Sequence, residues 1–239
     1  AQEAYKDHLY EAGFRNISID LIYGLPDESI DDWGYSLDQA IALGVKHISA
    51  YHLTYEEGTR LWRMLEQGLV QPIDEEQSVR SFELLREKLL AAGYEHYEIS
   101  NFCLPELHSR HNSSYWTGKK YLGCGPSAHS FNGHSRQWNV ASLRSYIEGI
   151  EQGQPDYEIE ELALHTRYND YVITSIRTCW GMSLPHLRTT YGEELYRYCL
   201  RMAEPHLRQG VLEIREDVLR LTPSGIFISD GIMSDLLWV

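Results

Sequence analysis

Cysteine is scarce in this sequence, and its spacing excludes two kinds of site. The four cysteines are Cys103, Cys124, Cys179 and Cys199, and the closest two are twenty positions apart. A local iron–sulfur or zinc motif needs cysteines only a few residues apart, so the chain has no such run. The same scatter gives no disulfide framework, which favours a reducing, cytoplasmic location.

Long apolar runs and positive charge are also lacking. No apolar stretch reaches the roughly 18 residues that a membrane helix needs. The N-terminal sequence AQEAYKDHLYEAGF has the pattern of an amphipathic helix and not of a signal peptide. Lys and Arg number 21 against 35 Asp and Glu, a net charge of −14. We therefore expect no strong membrane association and no nucleic-acid partner for the chain as a whole.

The first half of the chain alternates between strand and helix patterns. Residues 17–22 and 47–53 predict two buried parallel strands, the first of which carries Asp20, and residues 4–12 predict a preceding helix. Strand, crossover helix and strand make the unit of a parallel α/β sheet.

Helix caps mark where the helices of this half begin and end. A capping box at Ser29 predicts the start of the crossover helix, and Gly44 predicts its end. Asp74 predicts the start of a longer helix that Gly93 ends. These signals make the first half a regular α/β structure.

The second half shows a different pattern after a polar stretch at residues 151–156, which contains Gly and Pro. We predict a domain boundary there, with domains at 1–150 and 151–239. Helical patterns followed by a β-hairpin predict a winged-helix-like α+β unit. The predicted helices span 164–178, 184–190 and 193–209, and the strands of the hairpin span 211–214 and 218–221.

The first polar motif is Asp20-Leu21-Ile22-Tyr23-Gly24-Leu25-Pro26, which runs from the first strand into a loop. A carboxylate inside an apolar strand must be paired or must face a ligand. Ligands of parallel α/β sheets gather at the carboxyl ends of the strands. Asp20 is therefore a candidate ligand contact, and hydrogen bonding to neighbouring loop amides is the alternative.

The second polar motif spans residues 97–130 and is rich in His, Gly and aromatic residues, with little hydrophobic periodicity. Irregular segments of this composition usually serve a site. His108 and His111 have an i, i+3 spacing that suits a metal, but no third ligand follows at a fixed spacing. A histidine of this kind is a candidate ligand or a hydrogen-bonding loop residue.

Together the two motifs resemble the family of oxygen-independent coproporphyrinogen III oxidases and HemW-type heme chaperones, which are radical-SAM proteins. The run His111-Asn112-Ser113-Ser114-Tyr115-Trp116 matches the HNxxYW signature of the heme-chaperone branch. The family's CxxxCxxC run and glycine-rich SAM motif are absent. The resemblance thus implies an α/β fold: the C-terminal part of a radical-SAM partial (β/α) barrel with parallel strands, followed by the small winged-helix-like domain.

The resemblance also implies two groups of site residues. Asp20, Thr54, Gly123, Gly125 and His129 would line the pocket for S-adenosylmethionine. For Thr54 a turn cap is the alternative, and for the glycines a tight turn. His111 would ligate heme iron as a neutral imidazole. The residues beside it, Asn112, Tyr115 and Trp116, would complete the heme site.

The implied function is that of a heme chaperone, which binds heme and transfers it to an acceptor protein. The intact protein would use S-adenosylmethionine and a [4Fe–4S] cluster, and we expect this chain alone to hold neither and to be inactive. The first alternative is oxygen-independent coproporphyrinogen III oxidation, in which porphyrin propionates are decarboxylated. The second is a winged-helix nucleic-acid-binding module at 160–239, which a nearly equal number of arginines and carboxylates in that region disfavours.

Overall fold

The computed structural model describes the backbone of residues 2–239 and the side chains from Asp7 onward. The chain divides into two compact units, Ala1–Ser109 and Arg110–Val239. The boundary predicted at residue 150 falls inside the second unit and stays a prediction of where a C-terminal domain begins.

The first unit is built around a four-stranded mixed sheet of order β1-β2-β4-β3. Strands β1 and β2 are parallel, as predicted, with Asp20 opposite Ser49. Strand β4 runs antiparallel to both of its neighbours, which the sequence did not indicate. The elements are α1 Gln2–Glu11, β1 Ser18–Tyr23, α2 Ile30–Ala42, β2 His47–His52, α3 Arg60–Glu66, α4 Glu75–Ala91, β3 Glu95–Glu98 and β4 Asn101–Cys103.

The predicted helix caps of this unit are confirmed. The hydroxyl of Ser29 accepts from the Asp32 amide at 3.1 Å while the Asp32 carboxylate accepts from the Ser29 amide at 3.2 Å, which completes the capping box. A carboxylate oxygen of Asp74 accepts from the Gln77 amide at 2.7 Å at the start of α4. Because these caps satisfy amides that the helix leaves unpaired, they fix where α2 and α4 begin.

The sheet of the first unit has one apolar and one polar face. On the apolar face Ile48 and Phe102 are fully buried, and α2 and α4 contribute buried side chains such as Leu37 and Leu85. Side chains alternate along a strand, so residues 18, 20 and 22 of β1 share the other face. That face carries polar groups, and it is the one that holds Asp20.

The prediction that β1 is a buried strand is wrong for this structure. Ser18, Asp20 and Ile22 are exposed, and only the alternate residues are covered, with Tyr23 buried and stacked on Trp33 of α2. The reason is that β1 lies at the edge of this sheet and is packed on one face only. The carboxylate of Asp20 therefore faces solvent.

The second unit combines helices with two three-stranded antiparallel sheets, of order β5-β6-β7 and β8-β10-β9. The β9–β10 hairpin after two helices confirms the predicted winged-helix-like arrangement. The elements are α5 Arg110–Trp116, β5 His129–Phe131, β6 Ser135–Asn139, α6 Leu143–Glu151, β7 Tyr157–Glu161, α7 Leu164–Ile176, β8 Met182–Ser183, α8 Leu184–Arg208, β9 Leu212–Arg215, β10 Val218–Leu221, α9 Pro223–Ile226 and α10 Ser229–Leu236.

Helix α8 consists of two helical segments that meet at Gly192, whose φ of 90° is not helical. The sequence predicted two helices separated at this point, and the kink confirms that reading. The core around it is anchored by Tyr168 of α7, whose buried hydroxyl donates to the Leu236 carbonyl at 2.9 Å. Burial raises the pKa of this tyrosine well above its usual range, so the hydroxyl remains a donor.

The polar segment 97–130 is less irregular than predicted. It contains β4 and the seven-residue helix α5, which carries the HNxxYW run. Within the described residues, no helix is long and apolar enough to cross a bilayer.

Candidate functional site

Asp20 lies at one end of a polar row that crosses the sheet of the first unit. It is opposite Ser49, which is opposite Asn101, which in turn pairs with Glu98. The Ser49 hydroxyl donates to the Asn101 side-chain oxygen at 3.0 Å, and the Asn101 amide nitrogen donates to Glu98. Because Ser49, Asn101 and Glu98 are buried and bonded to one another, Asp20 is the exposed end of this row and can reach a ligand.

The loop after β1 meets the end of β2 at Gly24. Gly24 has a φ of 78°, and a Cβ there would lie 2.9 Å from Nε2 of His52. Its amide donates to a carboxylate oxygen of Glu28 at 2.8 Å, and the Leu53 amide donates to the Tyr23 carbonyl at 2.8 Å. The carboxyl ends of the two parallel strands are therefore fixed side by side. Thr54 follows directly in this loop and is exposed.

The glycines of the second unit differ in what their small size allows. At Gly123 a Cβ would lie 2.2 Å from the His129 carbonyl oxygen, so the chain's own packing requires glycine there. At Gly125 the φ is 111° and the space around a Cβ is open, which leaves room for a ligand. The Gly125 amide donates to the Tyr146 hydroxyl at 3.0 Å. Of these two glycines, only Gly125 therefore leaves space for a cofactor to come close to the backbone.

His129 lines a cavity of about 320 Å³ in the second unit. Its ring stacks on Trp138 of β6 at a centroid distance of 5.8 Å. Asn139 and Asp156 add polar groups to the lining. The cavity is thus large enough for a small polar or flat ligand.

The HNxxYW residues occupy two sides of α5. His111 and Tyr115 are one helical turn apart and exposed, with ring centroids 5.2 Å apart and 3.3 Å between Nε2 and the tyrosine hydroxyl. Asn112 and Trp116 are half-buried. The helix thereby presents an imidazole and a phenol ring on one accessible surface.

Trp116 is held against α7 and carries an unsatisfied donor. The guanidinium of Arg177 lies over its ring, 4.3 Å from the centroid. Within the described part of the chain, the indole Nε1 of Trp116 and the hydroxyl of Ser113 are buried without a hydrogen-bond partner. Buried donors of this kind are uncommon and fit an acceptor supplied by a ligand.

Tyr115 and a further tyrosine, Tyr121, connect α5 with the loop that follows it. The ring of Tyr115 packs against that of Tyr121 at 4.9 Å, and the amide of Tyr121 pairs with Phe131. Burial raises the pKa of Tyr121. The HNxxYW helix and the 121–131 segment are thus parts of one packed aromatic cluster in the second unit.

Known proteins resemble this chain over most of its length. The model of the HemN C-terminal domain matches residues 162–228. A heme chaperone HemW from Mycobacterium tuberculosis strain H37Rv is 36% identical over 226 residues, which are 94% of this chain and 56% of that protein. A heme chaperone HemW from Synechocystis is 37% identical over 242 residues, covering 92% and 58%.

The chain belongs to the HemW/HemN-like radical-SAM family. It spans a little over half the length of these HemW relatives. A solved coproporphyrinogen III oxidase, HemN from Escherichia coli, has the same fold, with a TM-score of 0.76 over 98% of this chain and 58% of that one. At 18% identity this likeness concerns the fold alone.

The cysteines of this HemW/HemN-like chain do not fit a cluster of the radical-SAM type. Cys103 and Cys199 are buried, and Cys124 and Cys179 are exposed. Among the described residues, no group of three cysteines converges on one point. We therefore assign no cluster ligand to this chain.

Sequence reasoning missed several residues that the structure places at these sites. Ser49 and Asn101 complete the row of Asp20, and only the strand register reveals this. Arg177, the C-cap residue of α7, covers Trp116 from 61 positions later in the sequence, and no local pattern indicates it. The two histidines that were considered as a metal pair have different neighbours. His108 contacts Glu95 and Tyr97, whereas His111 contacts Tyr115.

Proposed function

We propose that the intact protein is a radical-SAM heme chaperone and that this chain supplies its heme-binding surface on α5. The single observation that carries the proposal is the exposed His111–Tyr115 pair beside the unsatisfied indole of Trp116. The names of the HemW relatives support it. An exposed position suits a chaperone, because heme held at the surface can be handed to an acceptor.

In this proposal His111 binds the heme iron and Tyr115 packs against the macrocycle. Trp116 would support this surface from the packed side of α5, where the guanidinium of Arg177 lies over its ring. Asn112 is placed on the same helix to support the site. Heme is the cargo, and an apo-protein that requires heme is the partner.

We also propose that residues of this chain bind S-adenosylmethionine in the intact protein. In the first unit the candidate contacts are Asp20 of β1 and Thr54 after β2. In the second unit they are Gly125 and His129, and Gly123 would shape that loop without touching the ligand. When bound, the cluster and S-adenosylmethionine supply the family's radical chemistry. The residues of this chain would bind and orient the cofactor.

The experiment is a hemin titration that ranks three variants. His111→Ala should remove most of the Soret shift, because it removes the iron ligand. Tyr115→Ala and Trp116→Ala should each weaken binding by about 0.5–1.5 kcal/mol, the usual worth of an aromatic contact. The control is His134→Ala, another exposed histidine. Equal binding by His111→Ala and the control would contradict the proposal and reopen the choice between heme chaperone and coproporphyrinogen oxidase.

A further inference from the structure

A group of potential metal ligands lies in the first unit, two residues along the strands from the row of Asp20, Ser49 and Asn101. Donor atoms of Glu95, Cys103 and His108 all lie within 4.8 Å of one another. Nε2 of His108 is 3.3 Å from a carboxylate oxygen of Glu95. The three residues come from β3, from β4 and from the segment that follows β4.

Three independent features of the fold bring these side chains together. Glu95 and Cys103 are direct partners in the β3–β4 pair, and directly opposed residues have side chains on the same face. The backbone then turns through Glu106, at a φ of 64°, which carries His108 back over that face. The ring of Tyr97 contacts the His108 ring edge-on at 4.9 Å and holds it there.

The three residues differ in burial, from a core position to a solvent-exposed one. Cys103 is fully buried, whereas the side chains of His108 and Glu95 are 29% and 48% exposed. An ion could therefore enter from the solvent side, and a water molecule could complete its coordination.

The donor set and the distances both suit zinc. Thiolate, imidazole and carboxylate are the ligands of Zn²⁺, at about 2.0–2.3 Å from the ion. Tetrahedral ligands at these lengths lie about 3.3–3.8 Å from one another. The side chains of Glu95 and His108 are partly exposed and can shift toward Cys103, which is fully buried in β4.

We propose that Glu95, Cys103 and His108 bind a divalent transition-metal ion of the zinc class, with water as the fourth ligand. His47, which pairs with Cys103 on the neighbouring strand, is the first residue of β2. The site thus lies at the amino ends of β1 and β2, at the opposite end of the sheet from Gly24 and Thr54. Its role is to fasten segment 104–109 to the sheet.

Cobalt substitution tests this directly, because Co²⁺ bound by a thiolate absorbs in the near ultraviolet through charge transfer. The parent chain, without heme, should bind one equivalent of Co²⁺ with this absorption, and Zn²⁺ should displace it. Cys103→Ser should abolish the band. Cys179→Ser, which changes an exposed cysteine elsewhere, should retain it.

Two further variants keep the test decisive if Cys103→Ser folds poorly. His108→Ala should lower Zn²⁺ affinity, measured by chelator competition, by more than the roughly 10–100-fold typical of an outer-shell change. Glu95→Gln should weaken it as well, and His134→Ala should not. Absence of the cobalt band in the parent, or equal Zn²⁺ affinity of His108→Ala and His134→Ala, would overturn the proposal. Neither result depends on heme binding.

Discussion

At the scale of single residues, the sequence identifies candidate site residues better than it indicates their exposure or their contacts. The HNxxYW run and Gly24 are readable because they are local signals. The exposure of Asp20 is not, since it depends on which faces of β1 are covered. The contact between Arg177 and Trp116 likewise arises only when α5 and α7 pack together.

His96 is a half-buried residue whose ionisation should affect folding. Its ring stacks on Phe102 at 4.1 Å, Nδ1 accepts from Arg86 at 3.2 Å, and Nε2 donates to the Ile99 carbonyl at 3.0 Å. Because Nδ1 accepts a hydrogen bond while Nε2 donates one, this arrangement requires the neutral imidazole ring. Burial lowers the pKa of His96 to about 4.

Because the unfolded chain binds this proton near pH 6.5 and the folded chain does not, His96 favours unfolding as pH falls. Its contribution to stability is complete above about pH 6.5 and is lost progressively down to about pH 4, in total about 1–3 kcal/mol. His96→Phe keeps the stacked ring and removes the proton. We expect a flatter loss of unfolding free energy over this pH range, measured by urea denaturation. An unchanged slope would contradict the assignment.

At the scale of elements, capped helices and the β9–β10 hairpin follow from sequence because they carry their own start and stop signals. Helix α5 does not follow from the sequence, because its seven residues have no apolar periodicity. Strand β7 is also missed, because all five of its residues are exposed and its pairing with β6 is its main contact. The antiparallel direction of β4 depends on its pairing with β2 and β3 and not on its own sequence.

Two glycines at positive φ, Gly24 after β1 and Gly44 after α2, offer a matched pair of variants. Gly24→Ala and Gly44→Ala both place an alanine at positive φ, 78° and 61°. For Gly44→Ala nothing lies within 4 Å, so we expect about 1 kcal/mol of destabilisation. Gly24→Ala must also displace His52, which is held by Ser78 at 2.8 Å, and should cost about 2–3 kcal/mol. Chemical denaturation checks this, and equal losses for the two variants would refute the packing argument.

At the scale of the whole molecule, composition and motif order predicted an α/β part followed by a winged-helix-like part. The compact units divide at residue 109, ahead of the predicted boundary, because α5, the β5–β6–β7 sheet and the C-terminal helices form one unit. Strand alternation gave no means of locating that division. The predicted absence of a nucleic-acid partner also belongs to this scale.

Four arginines of the winged-helix-like region form ion pairs with neighbouring glutamates. Arg188 and Arg197 both pair with Glu193. Arg208 pairs with Glu204, and Arg220 pairs with Glu213.

Because the net charge of the chain is −14, we expect no retention on a heparin column at physiological salt. Replacing the three glutamates by glutamine should increase retention. Firm binding by the parent chain would favour the nucleic-acid alternative.

The central claim is that His111 is the residue that ligates heme iron, and a ligand exchange tests it most directly. His111→Cys places a thiolate donor at the same exposed position of α5. The decisive measurement is the Soret spectrum of the hemin complex, compared between the parent chain and this variant. We predict that the spectrum changes from that of an imidazole-ligated to that of a thiolate-ligated hemin. A spectrum identical to that of the parent would show that residue 111 does not touch the iron.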